Sequence, residues 1–242
     1  MKKILFLVAF LAVAAAVQSK AGKVKSSFVF GPVECSYDRF VKYCNEAYDV
    51  KIVKPEGFEG VWQRLSDVTN NDDEPGIGHL TELNVLFASK AGDCFVALND
   101  LKPECDFSLN KNRDLHAMAL NYYNVVANER GFRDYEGIDT AAIAKHVETL
   151  CAKDFNADAA VLVRDVPFGK VSGLGWKYKT CTRVYVKKTG RPMLTLTIVL
   201  KDMPDAQRRA YVAKVAKSIS YGASHWKYDL DVVGKLQSKY GF

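Results

Sequence analysis

The chain has 242 residues, of which 48% are hydrophobic and 26% charged, with 34 basic and 28 acidic side chains and a formal net charge of +6. That much apolar content excludes a disordered polyelectrolyte, and the interspersed signs exclude the clustered basic face that nucleic-acid binding demands. The length suits one sizeable domain rather than several.

The first predicted element is a secretory signal. Lys2 and Lys3 form a charged start, Ile4 to Val17 an apolar run, and small residues follow, so residues 1–21 read as a signal peptide with cleavage after Ala21. The apolar run is shorter than the roughly 20 residues a bilayer-spanning helix needs, and nothing later is as continuously apolar, so no membrane span is expected. Loss of Lys2, Lys3 and Lys20 leaves 31 basic and 28 acidic side chains, a net charge near +3. The first cysteine after the signal is Cys35, too far away to carry a lipid. The expectation is an exported protein, periplasmic or secreted.

Further along, Tyr48 to Val53 reads as a short strand entering the turn Pro55-Glu56-Gly57-Phe58. Ser66 to Gly78 is polar and acidic, a loop. Leu83–Phe87 and Cys94–Leu98 flank Lys90-Ala91-Gly92-Asp93, the signature of a hairpin. Leu115, Met118, Ala119, Tyr122, Val125 and Val126 recur at helical spacing up to Gly131. A second helix is expected from an Asp139 or Thr140 cap through Ile143, Val147, Leu150 and Cys151. Ala159–Val163 and Tyr178–Val186 read as strands, and Lys187 to Arg191 turns the chain into Met193–Leu200, whose alternation predicts one core face and one half-wet face. A helix from Pro204 to about Ser218 follows. In the tail, Trp226, Tyr228 and Leu230 alternate as in a strand, whereas Val232 or Val233, Leu236 and Tyr240 suit a helix; this segment, 223–242, is expected to dock back on its domain.

Cys35, Cys44, Cys94, Cys105, Cys151 and Cys181 are even in number and bound for an oxidising compartment, which makes them disulfide candidates. Short loops favour Cys35–Cys44 and Cys94–Cys105, leaving Cys151 for Cys181. No Cys-x-x-Cys occurs, and the sulfurs lack metal-ligand spacing.

The run Asp154-Phe155-Asn156-Ala157-Asp158-Ala159-Ala160, with Arg164-Asp165-Val166-Pro167, Tyr178-Lys179-Thr180-Cys181, Lys187-Lys188-Thr189-Gly190-Arg191-Pro192 and Ser218-Ile219-Ser220-Tyr221, resembles a group of uncharacterised exported bacterial proteins over about residues 150–222. More distantly, the order of elements is similar to the Mog1/PsbP-like α-β-α sandwich. That resemblance implies a binding or assembly module, and no partner-contacting residues carry over. The expected fold is therefore a single α+β domain over residues 22–222, with a mostly antiparallel sheet and packing helices.

Chemistry is sparsely signalled. His79, His116, His146 and His225 are scattered and lack zinc spacing. Cys94 with His116 or His146 gives the chain order of a thiol hydrolase, but Cys94 leaves a hairpin rather than opening a helix that would lower its pKa. The loop Asp67–Glu74 fails the EF-hand template at its glycine and glutamate positions. No catalytic, cofactor or metal residues are assigned. Phe168, Leu174 and Trp176, in a glycine-rich connection, are the candidate partner contacts. The leading expectation is a non-catalytic exported binding or assembly module for an unknown protein or small molecule of the cell envelope; a carrier of a small apolar ligand and a thiol or histidine hydrolase are the alternatives.

Overall fold

The computed structural model describes residues 36–65, 83–99, 101, 114–128, 139–167 and 178–241. The signal segment, Cys35, Cys105, the acidic loop, His79 and the connection holding Phe168, Leu174 and Trp176 lie outside the described residues.

The described chain opens on a helix, α1 (Tyr37–Tyr48). Ser36 caps it by accepting the Arg39 N–H at 3.3 Å, and Asp38 sits in the favourable first turn. Phe40, Tyr43, Cys44, Ala47 and Tyr48 form its buried stripe, and Asp49, at φ +51°, ends it in the left-handed region. The sequence reading assigns no helix here, although its cap and its i, i+3, i+4, i+7 pattern stand in the sequence. Next, β1 (Val50–Ile52) pairs antiparallel with a distant strand, β9 (Ile219–Tyr221).

The main sheet has seven strands among the described residues: β2 (Phe58–Leu65), β3 (Leu83–Ser89), β4 (Cys94–Asn99), β5 (Val147–Thr149), β6 (Ala159–Pro167), β7 (Thr180–Lys187) and β8 (Leu194–Leu200). Their spatial order is β2-β3-β4-β8-β7-β6-β5, antiparallel throughout. The β3–β4 and β7–β8 hairpins turn at Gly92 (φ +69°) and Gly190 (φ +74°), where a left-handed backbone favours glycine. The pairing of β4 with β8 joins the two hairpins into one sheet.

Helices cover both faces. On one side α1, the β1–β9 pair, α4 (Asp205–Ala216) and α5 (Leu230–Tyr240) meet Val96, Leu98, Leu162, Val184, Leu196 and Ile198. On the other, Leu115, Ala119 and Tyr122 of α2 (Leu115–Asn128) meet Val85, Phe95, Val161, Val163, Tyr185 and Val199. The chain is thus an α+β domain with an antiparallel sheet between helical layers. Double coverage corrects one expectation: every residue of β8 is buried, so Thr195 and Thr197 meet protein instead of water. Thr197 Oγ1 accepts the Arg183 Nε–H at 3.1 Å.

A second correction concerns the helix expected through Cys151. Asp139 does cap a helix, accepting the Ala142 N–H at 3.0 Å, but α3 covers only Thr140–Ala144. Val147, Glu148 and Thr149 instead pair with Val163, Leu162 and Val161 as β5. The outer edge of β6 offers backbone partners there, and two β-branched residues accept them.

The last helix, α5, is capped by Asp229 and packs on α1, with the Tyr43 and Tyr240 rings 6.2 Å apart. Arg191 ties the intervening segment down. Its guanidinium donates to the Tyr48 carbonyl, the Asp49 carboxylate and the Ser224 carbonyl, and lies over the Trp226 ring.

Candidate functional site

A cleft of about 250 Å³ opens between α4 and the β5–β6–β7 end of the sheet. Its apolar walls are Leu150, Leu162, Val212, Ala213 and Ala216, and its rim carries Glu148, Arg164, Asp165, Arg208 and Arg209. The local sequence explains both parts. Arg208, Val212 and Ala216 recur every fourth residue and so share one face of α4. Ala213 and Ala216 are too short to fill the space above Leu162 and Thr182.

The rim is shaped by a bulge in β6. Val163 pairs with Arg183 and Val166 with Cys181, so Arg164 and Asp165 together stand opposite Thr182. Asp165 adopts φ +58°, a left-handed conformation that aspartate tolerates better than most residues. The bulge thereby places two adjacent charges at the mouth of one cleft.

Arg208 faces two carboxylates: Nη2 donates to Asp205 at 2.7 Å, and Nε lies 3.0 Å from Asp165 without hydrogen-bond geometry. Arg209 contacts Asp205 as well. Hydrogen bonding from Arg208, aided by the two guanidinium charges, lowers the Asp205 pKa below the usual carboxylate range. Arg164 is held loosely: its guanidinium lies 3.5 Å from Glu148 and 3.4 Å from the Lys145 carbonyl. Beneath them, Thr182 is 1% exposed and its hydroxyl has no hydrogen-bond partner.

Asp165 also faces the opposite layer. His146 Nδ1 lies 3.9 Å from its carboxylate, and His146 Nε2 lies 3.3 Å from the Tyr123 hydroxyl, with the two rings stacked at 4.5 Å. Burial lowers the imidazole pKa, while Asp165 pulls it the other way. Burial, reinforced by the Asp165 charge, raises that of Tyr123. No described nucleophile shares this cluster.

The cysteines are dispersed. Cys151 is exposed just after β5, whereas Cys181 is buried on β7 beneath α2, with the Tyr122 hydroxyl 3.5 Å from its sulfur. Leu150 bonds to Ala160 and Cys181 pairs with Val166, so the two sulfurs sit at opposite ends of β6, on the order of 20 Å apart along the strand. A disulfide needs Cα atoms within about 7 Å, so the expected Cys151–Cys181 bond is replaced by two separate thiols. Cys44 and Cys94 are both buried, and their expected partners lie outside the described residues. Burial and the neighbouring Asp93 push the Cys94 thiol well above its usual pKa, which disfavours the thiolate that a nucleophile requires. His116, the other histidine considered with it, lies 3.0 Å from Thr149 Oγ1.

Sequence reasoning brought none of the cleft residues together. Arg164-Asp165 marks the end of an apolar run in the sequence, but only the bulge turns that ending into a rim. Among the described residues no helix is long and apolar enough to cross a membrane, and no group of three histidine, cysteine or acidic side chains has metal-binding geometry. Comparison of the chain with protein-family models, with curated proteins and with solved structures found no match.

Proposed function

We propose that this chain is an exported, non-catalytic binding module of the cell envelope, and that it carries a small, mainly apolar ligand in the cleft beside α4. The observation that carries the reading is the cleft itself, with its apolar walls, charged rim and buried hydroxyl. Small-molecule sites have this build: concave, largely apolar, with a few polar groups that fix orientation. Layers of helix on both faces of an antiparallel sheet support a likeness to the Mog1/PsbP-like sandwich, whose members bind or assemble rather than catalyse.

The test is to fill the cleft. Ala213→Trp places an indole where the ligand body would lie, on a helix position that is exposed to the cleft rather than packed in the core. The wild type should bind an environment-sensitive apolar dye at one saturable site, and the variant should lose that binding at least about tenfold with an unchanged circular-dichroism spectrum. Equal dye binding by a folded variant would overturn the reading.

A further inference from the structure

We infer that the cleft recognises a short-chain carboxylic acid bearing a hydroxyl or carbonyl oxygen close to its carboxylate. This rests on the cleft being a ligand site and adds the chemistry of the ligand. Three features select it, beginning with the difference between the arginines. Arg208 faces two carboxylates, Asp165 on the bulge at 3.0 Å and Asp205 on its own helix at 2.7 Å, so its charge is already matched. Arg164 is held more loosely. Its contacts, at 3.5 and 3.4 Å, are at the long limit of hydrogen bonding, its side chain is 34% exposed, and its acidic partner Glu148 is 54% exposed. An exposed pair of that kind is readily exchanged, and a planar guanidinium offers two parallel N–H groups that match a carboxylate.

The second feature is Thr182. Thr182 belongs to the lining of the cleft, and its hydroxyl, like that of Thr180, is buried without a hydrogen-bond partner. It can donate and accept, so a ligand hydroxyl or carbonyl oxygen satisfies it equally well. Arg164 and Asp165 stand opposite Thr182 across the β6–β7 ladder, which favours an oxygen a few bonds from the carboxylate.

The third is size. A volume of about 250 Å³ equals about eight water-sized groups, which matches a medium-length hydrocarbon. Leu150, Leu162, Val212, Ala213 and Ala216 would line that hydrocarbon. Together these describe a medium-chain 2- or 3-hydroxy acid, or the corresponding oxo acid.

Calorimetric titration of the full-length mature protein with 3-hydroxyoctanoate, octanoate and octan-1-ol tests this. The hydroxy acid should bind about tenfold tighter than octanoate, the upper range of one net hydrogen bond, and octan-1-ol should bind weakest. Thr182→Val, nearly isosteric, should erase the difference between the two acids. Arg164→Gln should weaken both acids about tenfold or more, and octan-1-ol by much less. If the three probes bind alike and neither variant discriminates among them, the ligand chemistry is wrong while a cleft blocked by Ala213→Trp still stands. If Ala213→Trp changes the binding of no probe, the cleft is not the site and both readings fall.

Discussion

Gly222→Ala is the substitution whose cost the structure defines most sharply. A Cβ built at this buried position overlaps the Asp49 carboxylate. The Gly222 N–H donates to the Asp49 carbonyl at 2.6 Å, so the two backbones cannot simply separate. The carboxylate must therefore leave its partners: the Arg191 guanidinium at 3.1 Å, and the Ser224 hydroxyl and N–H at 2.6 and 3.2 Å. Arg191 is almost wholly buried, and stranding one member of a buried pair costs about 3–5 kcal/mol. Taking the lower end, because Arg191 keeps two carbonyls, gives about 3 kcal/mol, or a fall in Tm of about 6–12 °C for a domain of this size. The same contacts predict a pH signature. Burial opposes the ionised form of Asp49, but Ser224 and Arg191 outweigh it and hold its pKa below the usual carboxylate value. Its contribution is therefore present above the unfolded pKa of about 3.8 and is lost as pH falls through the lower folded value. Urea unfolding of wild type, Gly222→Ala, Asp49→Ala and the double variant separates clash from other causes. In the Asp49→Ala background the glycine substitution should cost little, since the obstructing carboxylate is gone. Additive losses would refute the reasoning.

Two other measurements check the electrostatics and the sulfurs. Because burial lowers the folded pKa of His146 below 6.5, the unfolded chain takes up a proton first; stability should fall as pH drops below about 6.5 and level off below the folded value, and His146→Gln should flatten that limb of the urea-midpoint profile. An unchanged limb would mean that another group titrates there. In the native protein Cys151 should react quickly with a thiol reagent, whereas Cys181, sealed beneath α2 and pushed by burial to a pKa of about 11, should react only on unfolding. Equal native rates, or a Cys151 that never reacts, would contradict the placement of the two sulfurs.

The parts of the fold legible in the sequence are those that local signals determine. The β3–β4 and β7–β8 hairpins combine β-rich runs with a glycine at a left-handed turn position. Helix α2 carries its apolar residues at helical spacing, and α4, weakly patterned, is announced by Pro204 just before it. What was misread depended on neighbours. Val147 to Cys151 continues the period of a helix, yet β6 has an open edge there and captures the first three residues. Thr195 and Thr197 look like the wet face of a strand, yet both are buried, because the sheet is covered on both faces. The cleft was hidden for the same reason: nothing local distinguishes Thr182 from Thr180, and the role of Arg164-Asp165 depends on the β7 register that makes them a bulge.

Asp165 connects the two helical layers around the edge of the sheet. Its carboxylate holds Arg208 of α4 at 3.0 Å on the cleft side and faces His146 at 3.9 Å on the other, where the imidazole stacks on Tyr123 of α2. The left-handed backbone of the bulge makes both contacts reachable from one residue, at the conformational cost of a positive φ outside glycine. Since α4 forms one wall of the cleft, the position of that wall is set partly by a side chain whose other neighbour belongs to the far layer. His146 and Arg208 face different oxygens of that carboxylate, so it can serve both layers at once. The cleft and the α2 layer are thereby joined through one carboxylate, which is why the bulge, rather than any motif in the sequence, organises this site.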